Sequence, residues 1–321
     1  MDAIETRDRR DGLAAALVSY VTWGFFPLYL ILLWDVHALE IVAHRVVWAA
    51  VVMIVIVAVT RQWTALLRVL GDRDARNLLG LASLLIGVVW FFYAYGALTH
   101  RAVDVALGYF ICPLVTVLLA VTVNRERLRP AQWVSAAVGL VAVVVVTVGY
   151  GTFPWISGVV AVAFGLYSLV KNRLGRGVSP TVGLTVESAL LVPLAAITIV
   201  AMSLAGTATF AVGGLDVTDL YLVVSGPMTM FPLLLFAAAA NRLPLSLLGN
   251  LQYLNPALQL VSAVLVLRED MPVARWIGFA LVWLALGILV VDAARERRRS
   301  VAAAAVAEAT APSGTVGGPV S

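Results

Sequence analysis

Three features of the sequence predict an all-α integral membrane protein of ten transmembrane helices, arranged as two inverted five-helix repeats. The 321-residue chain is 62% hydrophobic and only 12% charged, with a mean hydropathy of +0.98, far from the soluble average of about half apolar and a quarter charged. Ten segments are apolar over the roughly 20 residues that a hydrocarbon core demands. The stretch Gly108 to Val143 also returns, ungapped, 143 residues later.

In chain order the ten segments cover about 13–33, 39–60, 77–98, 103–123, 130–149, 154–172, 181–205, 217–239, 245–267 and 273–292. Each must be helical, because hydrocarbon offers the backbone no hydrogen-bonding partner and no alternating barrel pattern is visible. The leading MDAIETRDRRDG mixes acids and bases and no small-residue cleavage site closes a short apolar region, so the first segment reads as an uncleaved span. Almost every residue lies in a span or a short connection, which leaves one membrane domain. Its parts are a leading segment (1–12), a first repeat (13–150), a second repeat (151–294) and a tail (295–321) that is basic and then of low complexity, read as disordered.

The repeat sets Pro113 on Pro256, Ala120 on Ala263, Arg125 on Arg268, Glu126 on Glu269 and Trp133 on Trp276. In both copies an apolar helix interrupted by Pro runs into an Arg-Glu turn and a second helix opened by Trp. The shift carries span 4 onto span 9, an odd number of crossings, so the copies are inverted. With the amino terminus cytoplasmic, 18 of the 22 Lys and Arg fall in inside segments, against Arg101, Arg268 and Arg275 outside and Arg45 within a span. Both termini are therefore expected in the cytoplasm. Inverted repeats of spans point to a transporter with its site between the copies.

The net charge of +4 comes from residues that set orientation, so nucleic acid is not an expected partner. The single Cys112 cannot form an intrachain disulfide, and no His/Cys cluster has metal-ligand spacing, so neither metal nor cofactor is expected. The expected partners are a small-molecule solute and the bilayer, with proton coupling and a homodimer left open.

An ionisable group inside a span costs about 2–3 kcal/mol or more unless it is paired or meets water, so the few present are the candidate site. Span 2 carries Glu40, His44 and Arg45, with Glu40 and His44 at i,i+4. Arg45 attracts an anionic group or gates the outer side; the rival reading makes it a snorkelling residue and Glu40 a surface cap. Span 7 carries Glu187, with Lys171 of span 6 as its nearest candidate partner, either a coupling or gating pair or a pin between two helices. Aromatic and polar residues collect near Pro-interrupted spans: Trp23 in WGFFPLY, Trp90 and Tyr93 with Tyr95, Tyr109, and Gln252, Tyr253 and Asn255. The expected pathway lining is Trp23, His44, Arg45, Trp90, Tyr93, Tyr109, Tyr253 and Asn255, and Glu187, Lys171 and Glu40 are the coupling or gating candidates. Ala237 to Ala240 and the glycines at 139, 165, 183 and 249 read as devices for close helix approach.

SYVTWGFFPLY, EIVAHRVVW, ALGYFICPLVTVLLAVTVNRERLRPAQW, AFGLYSLVKNRLG, TVESALLVP and FAAAANRLPLSLLGNLQYLNPALQL occur in that order. With these pieces the chain resembles the RarD-type branch of the EamA group in the drug/metabolite transporter superfamily, over residues 12 to 295. The resemblance implies a ten-helix inner-membrane permease of two inverted five-helix repeats, linked in the family with chloramphenicol. It gives a reaction type without a cargo. Where the family has Asn before Pro in span 4, this chain has Cys112, whereas the second repeat retains Asn255-Pro256.

The resulting expectation is a secondary transporter, not an enzyme, moving a small organic metabolite or drug by alternating access. A channel or non-transporting scaffold is the rival. An intramembrane enzyme stands behind both, since no G-x-S-x-G or H-E-x-x-H motif occurs.

Overall fold

The computed structural model describes residues 3–98, 102–150 and 155–261, with a scatter of positions between 273 and 295. The Arg268-Glu269 turn and the tail beyond residue 295 lie outside the described residues. Every long element among the described residues is helical: α1 (Ala3–Leu30), α2 (Ala38–Val59), α3 (Trp63–Gly71), α4 (Arg73–Leu98), α5 (Ala102–Thr122), α6 (Pro130–Tyr150), α7 (Trp155–Leu174), α8 (Pro180–Leu204), α9 (Val217–Ala240), α10 (Leu245–Leu251) and α11 (Leu254–Val261).

Local chemistry sets several of these starts. Ser179 caps α8, accepting from the Val182 amide at 3.3 Å with Pro180 in the first turn. Asp216 and Asp219 form a reciprocal capping box at the start of α9. Among the described residues seven helices are long and apolar enough to cross a membrane, and two shorter apolar helices are Gly108–Thr122 and Trp276–Asp292. Their outward faces expose Leu84, Val148, Leu194 and Ile197, side chains that water would reject and lipid accepts. This is a multi-pass membrane protein.

Two local features differ from the sequence reading. The connection after α2 contains α3, whose Val69 packs with Leu79, Val178 and Val182. Proline also acts unequally: α1 and α5 run through Pro27 and Pro113 as continuous helices, while span 9 divides at Gln252-Tyr253 into α10 and α11. Pro256 falls in the first turn of α11, where a missing N–H goes unnoticed.

The helices pack in specific pairs. α5 lies along α7, α1 along α9 and α11, α2 against α8 and α9, α4 against α7 and α8, and α10 against α5. The expected small-residue contacts are present: Ala237, Ala239 and Ala240 are buried, and a Cβ on Gly139 of α6 would collide with the Tyr253 hydroxyl group.

Polar contacts define the two ends of the bundle. At the end carrying α3, Glu126 accepts from the Leu245 and Ser246 amides at 2.9 and 3.0 Å. Beside it the Asn124 amide donates to Asn172 Oδ1 at 3.0 Å, and Asn172 donates to the Ala240 and Leu243 carbonyls at 2.8 and 3.0 Å. The Glu of the Arg-Glu turn is thus a latch between the α5–α6 turn and the start of α10. Its backbone is committed too, since Arg125 holds a φ of +55°. We expect Glu126→Ala to cost about 1–2 kcal/mol, as lost N-caps do, read as a lower melting temperature of the purified protein. At the opposite end Glu40 accepts from the Thr209 and Phe210 amides at 2.8 and 3.0 Å and from the Thr209 hydroxyl. That fastens the 205–216 connection over α2.

Candidate functional site

All three ionisable groups near the start of α2, Glu40, His44 and Arg45, are buried, Arg45 at 8% exposed. Its Nε donates to Thr229 Oγ1 of α9 at 2.9 Å. The guanidinium lies over the rings of Phe26 (4.8 Å) and Trp90 (5.5 Å), contacts worth about 0.5–2 kcal/mol each. Tyr29, Tyr93 and Tyr109 stand within its electrostatic reach. Four of the expected pathway residues, Arg45, Trp90, Tyr93 and Tyr109, therefore converge from α2, α4 and α5. Phe26, Tyr29 and Thr229 complete the set.

The register of Arg45 depends on one close approach. A Cβ on Gly226, one turn before Thr229, would strike the backbone of Trp48 and Ala49, one turn after Arg45. With only hydrogen there, α9 lies directly on α2 and Thr229 meets the guanidinium.

His44 is turned elsewhere. Its ring packs 4.6 Å from Phe210 beneath the 205–216 connection, and its Nδ1 accepts from Trp48 Nε1 at 3.3 Å. The proton therefore sits on Nε2, which is buried and meets no acceptor among the described residues. Trp23 joins Tyr20, Phe164 and Phe236 in an aromatic layer, with centroids 6.1, 6.0 and 5.6 Å from its own. Tyr167 extends the layer by stacking on Phe236 at 6.0 Å.

Tyr167 leads to the second charged group. Its hydroxyl donates to Glu187 Oε2 at 3.1 Å, and Lys171 Nζ holds Glu187 Oε1 at 2.6 Å. Both side chains of this ion pair are 3% exposed. Arg45 and Glu187 each stand seven residues past the first residue of their helices, Ala38 and Pro180, which start from opposite ends of the bundle. At 1.5 Å per residue both are about 10 Å deep, with opposite sign.

The divided span forms a third group. Tyr253 packs with Phe110, Ala142 and Ala257, apart from Arg45, and Asn255 is buried. The Tyr253 hydroxyl makes no hydrogen bond to the Arg45 group. Asn250 is wholly buried with both amide atoms unpartnered, and the Gln252 Oε1 and Tyr253 hydroxyl are likewise without partners among the described residues. Asn250 and Thr229 were not singled out from the sequence. For Thr229 the usable signal is a hydroxyl between Pro227 and Pro232 in one span; for Asn250 it is an amide two residues ahead of the helix break at Gln252-Tyr253. Among the described residues no group of His, Cys, Asp and Glu is arranged to hold a metal.

Comparison with known proteins gives concordant results. Residues 10–148 match the EamA-like transporter family. Protein RarD of Streptomyces exfoliatus is 41% identical over 293 residues, covering 91% of this chain and 92% of that protein. An uncharacterized transporter of Pseudomonas aeruginosa is 36% identical over 296 residues, covering 92% and 98%. A crystal structure of a protein 20% identical superposes with a TM-score of 0.68 over 87% of this chain and 97% of that one, a likeness of fold alone.

Proposed function

The chain belongs to the RarD-type branch of the EamA-like transporter family and is a membrane transporter, and from that premise we propose that it carries a small organic solute across the cell membrane by alternating access. The carrying observation is two buried charged groups at matching depths from opposite ends of one bundle, with an aromatic layer that runs from Trp23 through Phe236 to Tyr167, the tyrosine bonded to Glu187. Charges this deep are costly and are retained where they serve a pathway.

In this reading ten spans form two inverted repeats. Support comes from the helix pairs, because exchanging each span with the one five places on returns the same set. α5 on α7 becomes α10 and α11 on α1, α2 on α9 becomes α8 on α4, and α1 on α9 becomes α7 on α4. Phe110 and Tyr253, 143 residues apart, also pack in one cluster. The α3 end is cytoplasmic, as are both termini. Arg45, Trp90, Tyr93 and Tyr109 contact the solute. Asn250, Gln252 and Asn255 provide polar contacts from the divided span, a common arrangement at transporter midplanes. The Trp23 layer, the Lys171–Glu187 pair and the Glu126 latch form the inner gate, while Glu40 and His44 belong to the outer one. Glu187 is the coupling carboxylate: a proton delivered to it breaks the ion pair and loosens the inner gate.

Reconstitution tests this directly. A carrier gives saturable uptake that is accelerated by solute on the opposite side and altered by a pH gradient. Flux that rises without saturation supports the channel reading. No flux for amino acids, nucleosides, sugars or amphenicols favours a scaffold.

A further inference from the structure

We propose that the Arg45 group is a binding site for the carboxylate of a small organic monoanion with a planar apolar body. The inference rests on the transporter reading only for the movement of that ligand; its binding stands on the site itself.

Four observations carry it. Arg45 and Lys171 are both buried cations, yet they are treated differently: Lys171 has Glu187 at 2.6 Å, whereas no carboxylate lies within ion-pair distance of Arg45 among the described residues. A buried charge without a counter-ion is unstable unless something supplies one. The side chain is also pre-oriented: one of the five guanidinium N–H donors is spent on Thr229 at 2.9 Å. No described acceptor takes the others, which leaves the bidentate edge that suits a carboxylate. Aromatic faces flank the charge at 4.8 and 5.5 Å, a wall for flat apolar surface. Finally, Tyr93 and Tyr109 stand within electrostatic reach of the same cation and add hydroxyls that donate to an anion but cannot neutralise a cation, while the Tyr29 hydroxyl is already donated to the Tyr221 carbonyl.

The charge count selects the class. A phosphate monoester carries about −1.5 to −2 near neutral pH and would leave excess negative charge beside tyrosines, with no second cation in the group among the described residues. A carboxylate carries one charge and balances Arg45. Neutral solutes would leave the guanidinium as poorly compensated as they found it.

The test uses the full-length protein in lipid nanodiscs, with benzoate and indole-3-acetate against their neutral isosteres benzamide and indole-3-acetamide. The carboxylates raise the melting temperature and the amides do not. Arg45→Gln weakens carboxylate binding about 100-fold, the worth of a charge-assisted bidentate contact. Without ligand, Arg45→Gln melts at or above the parent, because it removes an uncompensated charge; an arginine with a purely structural role would lower it. Arg45→Lys and Thr229→Val, which keep the charge but lose the fork or its anchor, bind carboxylate about 10-fold more weakly. Equal protection by the amides, no protection by either carboxylate, or shifts that persist in all three variants would overturn the proposal. Flux in proteoliposomes separates the two readings. Saturable uptake of the amides alone removes the monoanion class and leaves the transporter, while carboxylate binding without flux keeps the site and removes transport.

Discussion

Glu187→Gln destabilises the protein far more than the double change of Lys171→Met with Glu187→Met. The single change leaves the Lys171 ammonium, only 3% exposed, with a neutral amide in place of its counter-charge and the Tyr167 ring face at 5.8 Å. Breaking one side of a buried pair costs about 3–5 kcal/mol, while replacing both members with apolar groups of similar volume is often neutral or stabilising. Melting curves of the purified variants read the difference. Flux then tells pin from gate. If the pair only joins α7 to α8, the double variant folds and transports like the parent. If it gates, the double variant folds, and its transport loses dependence on the pH gradient.

Gly226→Ala is the second large effect. The added methyl group has no room, because what it meets is the main chain of Trp48 and Ala49 rather than a side chain that could swing away. Overpacking typically costs about 1–3 kcal/mol, and contact with backbone forces whole helices apart. The expected result is a lower melting temperature together with loss of transport beyond what the stability loss explains, since moving α9 off α2 draws Thr229 away from the Arg45 Nε, now 2.9 Å distant. Gly158→Ala is the control, because nothing lies within 4 Å of a Cβ there.

The two residues that control Arg45, Gly226 and Thr229, illustrate what a sequence withholds. Arg45 itself was legible because an arginine within a span is rare and expensive, and Trp90, Tyr93 and Tyr109 because aromatics gather beside polar breaks. Thr229 was not, since a threonine in a span satisfies itself by bonding back along its helix, as Thr229 does to the Ser225 carbonyl at 2.7 Å. Helix rotation was the other hidden quantity. α2 is apolar nearly all round, so no stripe announces which face turns inward. His44 and Arg45, adjacent in sequence, consequently part company, one to Phe210 and the other to Thr229. Glu126 was visible as half of a repeated Arg-Glu pair, but its partners lie 119 and 120 residues away, beyond any local pattern. Glu187 and Lys171 were paired correctly because they end and begin consecutive spans, where a short connection dictates contact.

Alternating access is the central claim, and a reversible lock on one side tests it most directly. Asn124 and Asn172 meet across the α3 end with side-chain atoms 3.0 Å apart, and the chain has one native cysteine, Cys112, buried in α5. In a Cys112→Ser background, Asn124→Cys with Asn172→Cys is oxidised and solute flux is followed in proteoliposomes before and after reduction. Alternating access predicts that the disulfide stops flux while solute still protects the protein from heat, and that reductant restores transport. Undiminished flux through a fully cross-linked protein would contradict it.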